Sequence, residues 1–74
     1  MVFRKYVEEQ LEKTKHKKQI SSIHEGYGLL IEEVDEFFDE VKKKTSVRFK
    51  EDVVKELAQI AVICERIYND LYKG

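Results

Sequence analysis

SIHEGYGLLIEEVDEFFDEV, the stretch Ser22–Val41, decides how this chain folds. Ser22 followed three residues later by Glu25 reads as a capping box that opens a helix. Ile23, Tyr27, Leu30, Val34, Phe37 and Val41 then recur at spacings of four and three, a nearly unbroken apolar seam along one helix face. Ile31 and Phe38 widen it on one side. Gly26 and Gly28 weaken the first turns by roughly 1 kcal/mol each relative to alanine. They suit the close approach of another helix or of a ligand, and close packing is the plainer of the two. Lys42, Lys43 and Lys44 close the segment.

Outward from this helix, two more are predicted. Downstream, Thr45 and Ser46 are the N-cap candidates of a third helix, whose buried face is Val53, Leu57, Ile60, Ala61, Cys64, Ile67, Tyr68 and Leu71. Upstream, a first helix runs from about Phe3 to about Lys18, with Phe3, Tyr6, Val7, Leu11 and Ile20 as its looser apolar set. Its end is basic, and Lys13, Lys15, His16, Lys17 and Lys18 there oppose the negative end of the helix dipole. Ser21 and Ser22 separate it from the second helix.

Composition agrees with this reading. The 74 residues include no proline and three glycines, and 39% are charged, which favours an all-α domain with short connections. One domain, residues 1–74, is all that this length allows. A domain so small is marginal on its own. Cys64 is the single cysteine, so no disulfide helps, and His16 and His24 lack cysteine partners at zinc spacing. Tight helix packing or oligomerisation must supply the rest. The seams of the second and third helices predict a three-helix subunit that completes a four-helix-bundle core by dimerisation. A net charge of −1 offers no global attraction to nucleic acid or to a membrane. No apolar run could span a bilayer and no signal-peptide pattern opens the chain, so a cytoplasmic location is expected.

The acidic residues carry the chemistry. At about 100° per residue, Glu33, Glu36 and Glu40 fall on a stripe bordering the seam, while Glu32, Asp35 and Asp39 lie further round toward solvent. On the third helix Glu56 borders the apolar face, with Asp52 and Gln59 on the same side, somewhat further out. If the two helices pack antiparallel, Glu33 and Glu36 face Glu56 and Gln59 across a groove. Two carboxylates about 5 Å apart in a partly buried groove repel by roughly 3 kcal/mol at an effective dielectric near 20. A divalent cation turns that repulsion into binding energy. Oxygen ligands point to Mg2+, which keeps several waters and accepts phosphate oxygens as further ligands. The plainer alternative is a solvated acidic face balanced by the lysines.

Glu32-Glu33-Val34-Asp35-Glu36, followed by Glu56-Leu57-Ala58-Gln59, resembles the MazG-like branch of the all-α nucleoside triphosphate pyrophosphohydrolases. Their pattern is Glu-Glu-x-x-Glu, a spacer, then Glu-x-x-Asp. His24-Glu25-Gly26-Tyr27-Gly28 also looks like some short MazG-like sequences, and the resemblance covers roughly Ser22 to Leu71. It implies a magnesium-dependent enzyme (Mg2+, or Mn2+ in its place) that splits a nucleoside triphosphate into monophosphate and pyrophosphate by attack of water at the α-phosphate. It further implies Glu33, Glu36 and Glu56 as metal ligands with Gln59 as a weaker fourth, and Glu32 assisting through a second ion or by orienting the water. Lys13, Lys17 and Lys18, with His24, become the candidates for substrate contact. Lys42 and Lys43 are further candidates for phosphate charge. The implied assembly is a homodimer or homotetramer.

One departure is plain. The family's last acid is here Gln59, which offers a neutral carbonyl oxygen in place of a charge. Asp52, one turn before Glu56, could replace it. The rival reading is therefore a non-catalytic helical module that binds nucleotide or another protein. Among the remaining residues, Cys64 reads as a buried small hydrophobe. His24 reads as a surface or capping residue as readily as a substrate contact. Tyr6, Tyr27, Tyr68 and Tyr72 fit a subunit interface better than a nucleobase.

Overall fold

Three helices make up the computed structural model: α1 (Phe3–Lys13), α2 (Ile23–Lys42) and α3 (Phe49–Leu71). It describes residues 2–43 and 49–73, with the side chains of 49 and 50 excepted. Among the described residues there is no strand, and the all-α expectation holds. Thr45 and Ser46 as caps of the third helix, and Lys44 at the close of the second, lie outside the described residues.

The cap of α2 forms as its sequence dictates. Ser22 is extended, and its hydroxyl accepts the Glu25 N–H at 3.1 Å. The returning carboxylate lands one residue early: Glu25 accepts the Ser21 N–H at 2.7 Å. One of the orphan donors of the helix start, the Glu25 N–H, is thereby satisfied, together with the Ser21 N–H just before the cap. At the other end of the chain, Glu51 and Asp52 occupy the first turn of α3, where negative charge meets the positive end of the dipole.

α1 is shorter than expected, ending at Lys13 rather than near Lys18. The Thr14 hydroxyl donates to the Leu11 carbonyl at 2.7 Å, and the Thr14 and Lys15 amides turn back onto Leu11 and Glu12 at 3.0 and 3.2 Å. The chain leaves the helix axis there because Ile20 has a better place to go. Ile20 is fully buried, and its N–H donates to the Asp70 carboxylate at 2.8 Å. Burying such a side chain contributes about 1.5–3 kcal/mol, which a continued helix would forgo.

α3 is the central element. α1 and α2 each pack against it, and among the described residues they make no packing contact with each other. Toward α1 the core is Val7, Ala58 and Val62, with Tyr6, Leu11 and Ala61 packed on it. The buried face of α3 is therefore rotated from the expected one. Ala58, Val62 and Ile63 are buried, while Leu57, Cys64 and Tyr68 are exposed. Its reason is that α1, the helix with the weaker pattern, occupies the side of α3 that carries Ala58 and Val62. Cys64 is correspondingly a surface thiol and not a core residue. Of the tyrosines, Tyr6 packs on the core and Tyr27, Tyr68 and Tyr72 are exposed.

α2 and α3 run antiparallel, with Gly26 seated on Ile67 near one end. A Cβ on Gly26 would meet Ile67 Cγ1 at 2.8 Å, so glycine is what lets the helices come this close. Gly28 has nothing within 4 Å and plays no such part. Gly26 is the only fully buried residue of α2 among the described residues. Leu30, Glu33, Phe37 and Glu40 are half-buried, whereas the seam residues Ile23, Tyr27, Val34 and Val41 are exposed. With Phe38 at 57%, Tyr27 at 63% and Tyr68 at 59% exposure, an apolar stripe runs down the outside of α2 and α3.

Candidate metal centre

The inner face of α2 brings carboxylates, not only apolar groups, against α3. Glu33 and Glu36 lie one turn apart on α2, and Glu56 comes from the facing turn of α3. One carboxylate oxygen from each can be chosen so that all three lie within 4.8 Å of one another. The groove is partly closed: Glu33 and Glu56 are half-buried and Glu36 is exposed.

Among the described residues, Glu33 Oε2 and Glu56 Oε2 are buried and without a hydrogen-bond partner. A bond from one carboxyl to another requires a proton between them. Burial, followed by such a bond to Glu36 and the charges of Glu36, Glu56 and Glu32, pushes the Glu33 carboxyl up to about 7. Glu56 is raised as well, by burial first and then by Glu36 and Glu40, against the opposing pull of Lys43. Two buried oxygens without donors, facing a third carboxylate, form a donor set suited to a hard divalent cation.

The other expected site residues are placed differently. Gln59 turns its amide toward α1, Nε2 donating to Gln10 Oε1 at 3.3 Å. Asp52 stays outside the cluster, and its charge acts on Lys43. Glu32 is exposed beside Glu33 and reaches it through charge alone. His24 is exposed in the first turn of α2, nine residues before Glu33 and about 13 Å away along the axis. Lys13 is exposed at the end of α1 on a surface shared with Lys5, Glu8, Glu9 and Glu12. Lys17 and Lys18 line a separate cleft with Arg66. None of these four contributes to the carboxylate groove. Lys42 sits 3.4 Å from Asp39 and lies over the Phe38 ring, 4.7 Å from its centroid.

Glu40 and Lys43 form an ion pair beside the three carboxylates. Glu40 is largely covered and holds Lys43 Nζ at 2.9 Å. Both act electrostatically on Glu56. The signal for Glu40 was available: it follows Glu33 by one heptad and shares its face. Lys43 is thus a basic side chain bordering the carboxylates on α2. No family model, curated protein or solved structure matches this chain, so the functional reading rests on its own residues.

Proposed function

We propose that the chain is a magnesium-dependent nucleoside triphosphate pyrophosphohydrolase of the MazG-like kind, yielding nucleoside monophosphate and pyrophosphate. The observation that carries this reading is the convergence of Glu33, Glu36 and Glu56 from two helices, with two buried carboxylate oxygens that have no partner among the described residues. A structural interface has no use for such a group. On an exposed helix face the same acids would point separately into water. When bound, the ion supplies charge neutralisation for the transferring phosphoryl and the pyrophosphate leaving group. Glu33, Glu36 and Glu56 would hold it, and Glu32, exposed beside Glu33, would accept a proton from the attacking water. Lys43 answers part of the remaining phosphate charge when it exchanges Glu40 for substrate.

The subunit supports a second copy. The exposed apolar stripe of Ile23, Tyr27, Ile31, Val34 and Phe38 on α2, continued by Leu57 and Tyr68 on α3, is what a helical dimer would cover. Pairing it with the same stripe of another subunit completes a four-helix core and leaves the carboxylate groove at its edge. A homodimer or a homotetramer fits this equally.

A specific observation favours the rival reading, a nucleotide-binding or interaction module without turnover. Gln59 is engaged with Gln10 through its amide nitrogen and adds no charge to the groove. A panel of ribo- and deoxynucleoside triphosphates, assayed for pyrophosphate with magnesium, decides between them. Release from at least one triphosphate, abolished in Glu36→Gln, supports hydrolysis. Magnesium-dependent stabilisation by a triphosphate without release supports the rival, and no response to either sinks both.

A further inference from the structure

A cleft of about 370 Å³ lies between the end of α1, the segment 14–19 and the last turns of α3. Lys15, Lys17, Lys18, Arg66 and Asn69 are among its lining residues. The segment is tied down. Lys17 N–H closes a turn onto the Thr14 carbonyl at 3.0 Å, Arg66 donates to the Lys18 carbonyl at 3.3 Å, and Gln19 Nε2 donates to the Asp70 carbonyl at 3.2 Å. Burial of Ile20, with its amide on Asp70, anchors the far end. The cations are therefore carried on a fixed wall.

Most of these cations have no ion-pair partner among the described residues, although the Asp70 carboxylate also lines the cleft. Lys15 pairs with Glu12 at 2.8 Å, and the Asp70 carboxylate is engaged by the Ile20 amide. Among the described residues, Lys17, Lys18 and Arg66 have no carboxylate at ion-pair distance. Arg66 uses one of its five donors on Lys18. Helix-end electrostatics explains lysines just past α1, but not Arg66. It lies five residues before Leu71, more than a turn inside α3, where the dipole effect has faded. Lys17, Lys18 and Arg66 around one concavity of this size suit a ligand with several charged oxygens.

We propose that this cleft binds a small polyphosphate anion, a diphosphate or triphosphate group, without a metal ion. The site is separate from the carboxylate groove, because Arg66 follows Glu56 by ten residues, about 15 Å along α3. It stands whether or not the chain hydrolyses nucleotides. Arg66 and Lys18 supply the fixed contacts, and Lys17 adds charge.

The test is an amide-resolved NMR titration of the full chain with inorganic pyrophosphate, at low salt and with excess chelator. Saturable shifts confined to residues 14–20 and 66–70 are expected. Arg66→Gln and Lys17→Gln should each weaken binding about tenfold, and inorganic phosphate should bind more weakly than pyrophosphate. Lys17 makes no side-chain hydrogen bond or ion pair among the described residues, so its variant guards against a mere folding defect. Four results overturn the proposal: no saturable shift at millimolar pyrophosphate, shifts centred on 33–36 and 56, undiminished binding in Lys17→Gln, or tighter binding of a single-stranded oligonucleotide than of pyrophosphate.

Discussion

The two flanks of α3 are built from different material. Toward α1 it presents Ala58 and Val62, which close over Val7, with the polar pairs Gln10–Gln59 and Arg4–Glu65 beside them. Toward α2 it presents Glu56 to Glu33 and Glu36, with buried oxygens that are unpaired among the described residues. The first flank shows that this chain can pack an apolar helix interface. The second departs from that solution within the same helix, where three carboxylates meet. Carboxylate repulsion and burial oppose folding there, whereas the apolar flank and the burial of Ile20 favour it.

The contrast is broken most severely from the apolar side. Val62→Asp places an unpaired charge in the α1 interface and should cost about 3–5 kcal/mol. That is most of what a domain this small possesses, so circular dichroism should show loss of the helical signal at ambient temperature. A folded, cooperatively melting variant would mean that the α1 contact is not what secures α3.

On the acidic side the effect should fall on chemistry. Glu36→Gln and Glu56→Gln should each lower magnesium-dependent pyrophosphate release by at least about a hundredfold, with the melting temperature of the metal-free protein unchanged or raised. Equal loss of activity and stability in both variants would make the groove a structural element.

A pH series sharpens the comparison further. The Glu33 carboxyl has an ordinary value of 4.5 and stands near 7 in the fold. The folded state therefore holds its proton more tightly than the unfolded chain. This group's contribution to stability is complete below about pH 4.5 and is lost as pH rises to about 7. Allowing for solvent screening of a half-exposed group, the change amounts to about 1–2 kcal/mol. Glu33→Leu should remove that pH dependence and stabilise the metal-free protein by a similar amount at pH 7. Magnesium should restore the native chain at neutral pH, and identical melts of native and variant protein across the series would argue against a buried carboxylate cluster.

The smallest effects separate the two glycines. Gly28→Ala, with open space around it, should stabilise by about 0.5–1 kcal/mol through helix propensity alone. Gly26→Ala should instead destabilise by about 1 kcal/mol, because the new methyl meets Ile67. Thermal melts of the pair, read against each other, report how closely α2 lies on α3.

Much of this was legible before any tertiary contact was known. The Ser22 cap and the length of α2 follow from periodicity and capping chemistry, and the facing of Glu33 and Glu36 with Glu56 followed once α2 and α3 packed antiparallel. Other features were not. Gln59 shares the stripe of Glu56 in sequence, yet bonds to Gln10 because α1 packs on that side of α3. Lys17 and Lys18 read as the tail of a helix, yet belong to a turn shaped by the burial of Ile20. Cys64 has an apolar neighbourhood in sequence and solvent around it in space.

Local order in this chain was readable from the residues alone, since a capping hydroxyl, a glycine or a run of spaced apolar groups acts within a turn or two of itself. Which arc of α3 meets α1, which meets α2 and which stays bare depended on three helices competing for one cylinder. That competition is settled by packing between residues fifty positions apart, and it sorted the polar side chains into those that meet in the groove and those that do not.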